Sequence, residues 1–130
     1  MSRKRKTTRR RHIDGKFIAI PETVHTHDDF KSLSNRALKL LIDLLAQYNG
    51  YNNGDLCAAM TLMKKRGWKS NDQRTKALNE LLAKGFIILT RQGGRKRASL
   101  YAVTWYSIDE CKGKLDIKAT TKPWRSFNKK

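Results

Sequence analysis

The chain has 130 residues, room for one domain with a modest core and tails but not for two large domains. Its 29 Lys and Arg against 11 Asp and Glu leave a net charge of +18, far beyond what solubility needs. A polyanion is the expected partner, nucleic acid ahead of an anionic membrane surface.

Residues 1–15 carry Arg3, Lys4, Arg5, Lys6, Arg9, Arg10 and Arg11 with almost nothing to bury, and read as a disordered basic arm that lies along nucleic acid. No apolar stretch follows it to make a signal peptide, and no window approaches the roughly 18 apolar residues of a membrane span. The expected setting is cytoplasmic and nucleoid-associated. "GKFIAIPETV" then offers a strand or extended segment packed on the core and stopped by Pro21.

"LSNRALKLLIDLLAQYNG" predicts a helix: Ala37, Leu38, Leu41, Ile42 and Leu45 recur at helical spacing, Ser34 is the N-cap, Leu33 and Leu38 stand at staple positions and Gly50 supplies an end. "YNGYNNGD" is a turn region. A shorter helix fits "CAAMTLMKKRG", with Met60 and Met63 inward and Gly67 as breaker. A third starts at Ser70, where "SNDQ" has capping-box spacing and Leu78, Leu81 and Leu82 give the core stripe before Gly85. "FIILTR" and "SLYAVTWY" then predict a hairpin around "QGGRKRA", whose Gly93 and Gly94 make the turn. Residues 109–130 read as a basic, largely irregular tail, with Trp124 and Phe127 either tucked back or free.

Helix, helix, short turn, helix, hairpin is the element order of an α+β winged helix-turn-helix, a three-helix core with a C-terminal hairpin wing over residues 16–108 and disordered basic tails. In that arrangement the third helix buries its leucine stripe and leaves its other face free for a major groove about 12 Å wide. "KALNELLAKGFI" resembles the recognition-helix signature of winged-helix DNA-binding proteins: an Ala-Leu, a Leu three positions on, and a Gly followed by two apolar residues. "LSNRALKLLIDLLAQYNGYNNGDL" is similar to small winged-helix proteins of bacterial phages, plasmids and integrated mobile elements, and the likeness spans roughly residues 16 to 117.

The resemblance implies sequence-preferring duplex DNA binding, helix 70–84 in the major groove and wing 92–98 on the minor groove or backbone, in a transcriptional regulator or a replication accessory of a mobile element. Lys69, Ser70, Asn71, Gln73 and Lys76 match positions facing bases and phosphates, and Arg95, Lys96 and Arg97 match the wing tip. Arg74 departs from the pattern by standing where many members carry an apolar residue. Either it snorkels from the core edge to a phosphate, or the helical register is offset.

The chemistry agrees: amides pair with adenine and cations with guanine or phosphate, and three consecutive cations in "GGRKR" gain nothing from one another. Asp72, in the same helical turn, repels phosphate but stabilises the helix dipole. A second copy assembled on DNA is compatible with this reading. The rival is an RNA-binding or ribosome-associated basic protein, for which both tails would be natural.

Other motifs point away from catalysis. "HTHDDF" places His25, His27 and Asp29 like part of a metal motif but has Phe30 at the closing ligand position, so it reads as a turn capping a helix. Cys57 and Cys111 have no CxxC spacing and read as thiols. Tyr101, Trp105 and Tyr106 could stack bases, but in a strand backing a small core they are expected to be buried. Nothing in the residues points to an enzyme, a cofactor, a metal or a small-molecule ligand.

Overall fold

Two serine-capped helices organise the core. The computed structural model describes residues 14–128, so the basic arm read at residues 1–15 lies almost wholly outside the described residues. Ser34 accepts the Ala37 N–H at 3.2 Å and starts α3 (Asn35–Leu45), the third helix after the one-turn α1 (Glu22–His25) and α2 (Asp28–Lys31). The same hydroxyl donates to Glu80 Oε1 at 2.6 Å and the Ser34 N–H to Oε2 at 2.8 Å. One cap therefore also ties α3 to the helix carrying Glu80. Burial pushes the Glu80 carboxyl up, but the two Ser34 hydrogen bonds, with Lys84 and Arg36 nearby, outweigh it and hold the group below its ordinary value.

α3 buries Ala37, Leu40, Leu41, Leu44 and Leu45, each fully buried leucine contributing about 1.5–3 kcal/mol. The face is turned from the expected one: Ile42 is exposed and Leu38 half-buried. Apolar residues run round α3 from Leu40 to Ile42, and it is the Leu40 side of that arc, with Asp43 beside it, that packs inward. The helix also stops before Gly50, because Gln47 leaves it to act as a strand neighbour. Its Nε2 donates to the Cys57 carbonyl at 2.7 Å and its Oε1 accepts the Cys57 N–H at 2.9 Å.

That pairing holds β1 (Leu56–Cys57), a strand in a stretch expected to begin a helix. α4 starts later, at Met60–Lys65, with Met63 buried and Met60 half-buried. α5 (Asn71–Ala83) follows, capped by Ser70, which accepts the Gln73 N–H at 3.1 Å. β2 (Ile87–Arg91) and β3 (Leu100–Val103) form the expected hairpin, and the antiparallel sheet runs β1-β3-β2. Asn53, wholly buried, prolongs the β1 side: its amide accepts the Val103 N–H at 2.9 Å and donates to the Val103 and Ser107 carbonyls. The described residues thus form an α+β fold of five α-helices and a three-stranded sheet, and none of its helices is long and apolar enough to cross a membrane.

Both flanks of this body depart from expectation. Phe17 and Ile18 in the extended N-terminal segment stay exposed, and only Ile20 packs against the core. The C-terminal tail, expected to be disordered, is fastened through residue 128. Phe127 is buried and stacks on Phe86, while the Arg125 N–H donates to the Thr104 carbonyl and its guanidinium to the Lys84 carbonyl and Asp29 Oδ2. The Arg125 hydrogen bond and charge hold the Asp29 carboxyl below its usual range. A few apolar anchors and backbone hydrogen bonds suffice to order a segment whose composition is polar.

Candidate nucleic-acid interface

The turn before α5 is fixed from below. Asp43, on α3, is 5% exposed and collects three donors: Trp68 Nε1 at 2.7 Å, Lys39 Nζ at 2.9 Å and Arg66 Nε at 3.5 Å. Lys39 also donates to the Arg66 carbonyl at 2.8 Å and lies over the Trp68 ring. The turn 66–69 is thereby bolted to the core, which sets where Lys69 and Ser70 stand. The Trp68 bond is made away from water, while Lys39 and Arg66 reach the buried carboxylate from half-exposed positions.

α5 uses only a narrow stripe for the core: Ala77, Leu78 and Leu81 are buried and Leu82 half-buried. Asp72, Gln73, Lys76, Asn79 and Ala83, at steps of three and four, stay exposed along one side. The residues expected to act there separate into three groups. Lys69 is exposed in the turn with no partner among the described residues. Ser70 spends its hydroxyl on the cap, and Asn71 Oδ1 accepts from Arg74 Nη2 at 2.7 Å. Gln73 does not close the capping box, since its Oε1 accepts Arg36 Nη1 at 2.8 Å. This leaves Nε2 as a donor, suited to a purine N7 or a phosphate rather than to both adenine edge groups. Lys76 meets Asp72 at 3.1 Å, an exposed i,i+4 pair of the kind that contributes under about 1 kcal/mol and yields to a phosphate.

Arg74 is a brace. Its Nη1 donates to the Ala58 carbonyl at 3.1 Å, and Nη2 bonds Asn71 and Thr75, so it joins α5 to the segment between β1 and α4. The guanidinium at the core edge is turned toward a carbonyl of the fold. Asn79, which the sequence reading passed over, stands one turn beyond Lys76 with no partner for either half of its amide among the described residues. The i+3 spacing from Lys76 was the available signal.

The hairpin loop is shaped by close approach. A Cβ on Gly93 would lie 2.4 Å from the Ser99 backbone nitrogen, so only glycine fits there. Gly94 has open space around it, and the left-handed residue of the turn is Lys96, at φ 63°. Gly94 and Arg97 pair across the turn. Arg95 and Lys96 occupy its tip, exposed and without partners among the described residues. Arg97 stays exposed but folds back across the loop, its Nε and Nη2 donating to the Gln92 carbonyl at 3.2 and 3.0 Å, with Asp116 Oδ1 3.7 Å from Nη2.

Residues of the other motifs are engaged elsewhere. His27 Nδ1 accepts the Asp29 N–H at 3.0 Å and caps α2, as the turn reading of "HTHDDF" had it. Tyr101 and Trp105 are buried, and Tyr106 stacks on Tyr48 with centroids 4.7 Å apart. Both cysteines are free thiols; burial, with Asp55 and Asp109 beside it, pushes Cys111 up to about 11, which keeps it protonated at neutral pH. No family model, curated protein or solved structure matches the chain.

Proposed function

We propose that this chain is a winged helix-turn-helix protein that binds duplex DNA, α5 entering the major groove and the 92–98 loop reaching the minor groove or backbone. The observation that carries the reading is the pairing of two free features on a fixed frame. One is the exposed side of α5 with Gln73, Lys76 and Asn79; the other is a hairpin tip whose Arg95 and Lys96 have no work inside the fold. A net charge of +18 supplies the sequence-independent attraction, and the amides and Lys76 supply choice between bases. The resemblance to winged-helix proteins of mobile elements supports a role in transcription control or replication start.

Titration of the full chain against duplex DNA, hairpin RNA and single strands across salt concentrations tests the reading. Duplex is expected to bind tightest, and Arg95→Ala to weaken all duplexes evenly while lowering the salt slope by about 1. RNA binding substantially tighter than every duplex, including those enriched from a random pool, would overturn it.

A further inference from the structure

An acid stands among the cations of the hairpin loop, and its placement suggests why. β2 and β3 pair Leu89 with Tyr101 and Arg91 with Leu100, so Thr90 is bulged out of the ladder. Its carbonyl accepts instead the Asp116 N–H, from the tail, at 2.8 Å, and its hydroxyl donates to the Gly54 carbonyl at 2.6 Å. The Asp116 side chain then climbs to the loop. Oδ2 accepts the Gln92 N–H at 2.8 Å, and Oδ1 lies 3.7 Å from Arg97 Nη2, which itself donates to the Gln92 carbonyl. Gln92 leads into the loop and Arg97 leads out, so one tail residue closes a triangle across both limbs, directly below Arg95 and Lys96.

We propose that Asp116 is a positioning residue of the wing, setting the direction in which Arg95 and Lys96 meet the phosphate backbone. The inference rests on the duplex-binding reading. Charge alone argues the other way: a carboxylate beside a polyanion repels it, and deleting one should tighten binding. The brace and the bare charge therefore predict opposite signs for the same substitution.

The test compares Asp116→Ala, Asp116→Asn, Arg95→Ala and the Asp116→Ala/Arg95→Ala double variant of the full chain on a duplex enriched from a random pool. Asp116 is a half-exposed surface residue, and its substitution should leave the unfolding midpoint close to that of the parent. Asp116→Ala should weaken duplex binding about tenfold, and Asp116→Asn, which keeps an acceptor for the Gln92 N–H, should recover most of it. Arg95→Ala should cost less in the Asp116→Ala background than alone, a coupling that general destabilisation would not produce. In the free protein, the Gly94 and Arg97 amides, which bond each other and not Asp116, should exchange faster in Asp116→Ala. Equal or tighter binding by Asp116→Ala, or additive losses in the double variant, would overturn the proposal. If the parent binds no duplex, the functional reading fails by itself, and unchanged Gly94 and Arg97 exchange would then overturn the brace while faster exchange would uphold it.

Discussion

α3 and α5 begin alike and end in different work. Each opens on a serine that accepts the N–H three residues on, and the two pack against each other. α3 buries five apolar residues and an aspartate; α5 buries three and leaves one side in water. A helix buried on so much of its surface acts first as scaffold, whereas a narrow stripe anchors a helix and leaves the rest of its surface in water. The cations divide in the same way. Lys39, Arg66, Arg74 and Arg125 are spent on carbonyls, carboxylates and ring faces, while Lys69, Arg95 and Lys96 are not.

Substitutions can sharpen that contrast. The largest effect on folding should come from Leu41→Ala, wholly buried on α3, which is expected to cost about 2–5 kcal/mol in denaturant unfolding. Gln73→Ala and Lys76→Ala on α5 should change unfolding free energy by no more than about 0.5 kcal/mol. The two caps offer a finer comparison. Ser70→Ala should cost about 1 kcal/mol, and Ser34→Ala more, because it also takes the hydroxyl donor from Glu80 Oε1 and leaves only the backbone N–H on Oε2. Equal costs would mean that the Ser34–Glu80 link adds nothing to the packing of α3 on α5.

The smallest effect is in acid. Glu80 and Asp29 both have folded-state values held below their unfolded ones, so their contribution is full above the ordinary carboxylate range and lost as pH falls through the folded values. Unfolding midpoints followed from neutral pH downward should fall through that range, and Glu80→Gln should flatten the fall. A Glu80→Gln curve as steep as that of the parent would place the acid sensitivity elsewhere.

Local signals in the sequence were enough for the capped starts of α3 and α5, the leucine stripe of α5, and the hairpin, because each depends on residues within a few positions. What stayed hidden depends on distance along the chain. Asn53 looks like any residue of an Asn-rich turn until Val103 and Asp109 arrive, fifty and more positions later, to satisfy it. Asp43 has the spacing of a helix-surface acid, and only Trp68 and Arg66 make it a buried anchor. Arg74 was visible as a departure, but its partner, the Ala58 carbonyl, carries no side-chain signature. The tail was hidden for the same reason: the Thr90 and Thr104 carbonyls that receive its N–H groups, and the Phe86 ring under Phe127, lie far back in the chain.

Selection of bound sequences from a randomised duplex pool, run side by side with the parent chain, Gln73→Ala, Lys76→Ala and Arg95→Ala, tests most directly whether the free side of α5 reads DNA. The parent should enrich a defined motif. Gln73→Ala and Lys76→Ala should each relax it at particular positions, losing about 1–3 kcal/mol of discrimination where a base contact is removed, while Arg95→Ala should keep the motif and bind more weakly throughout. An equal loss across all sequences for all three variants, or no enriched motif for the parent, would contradict the account.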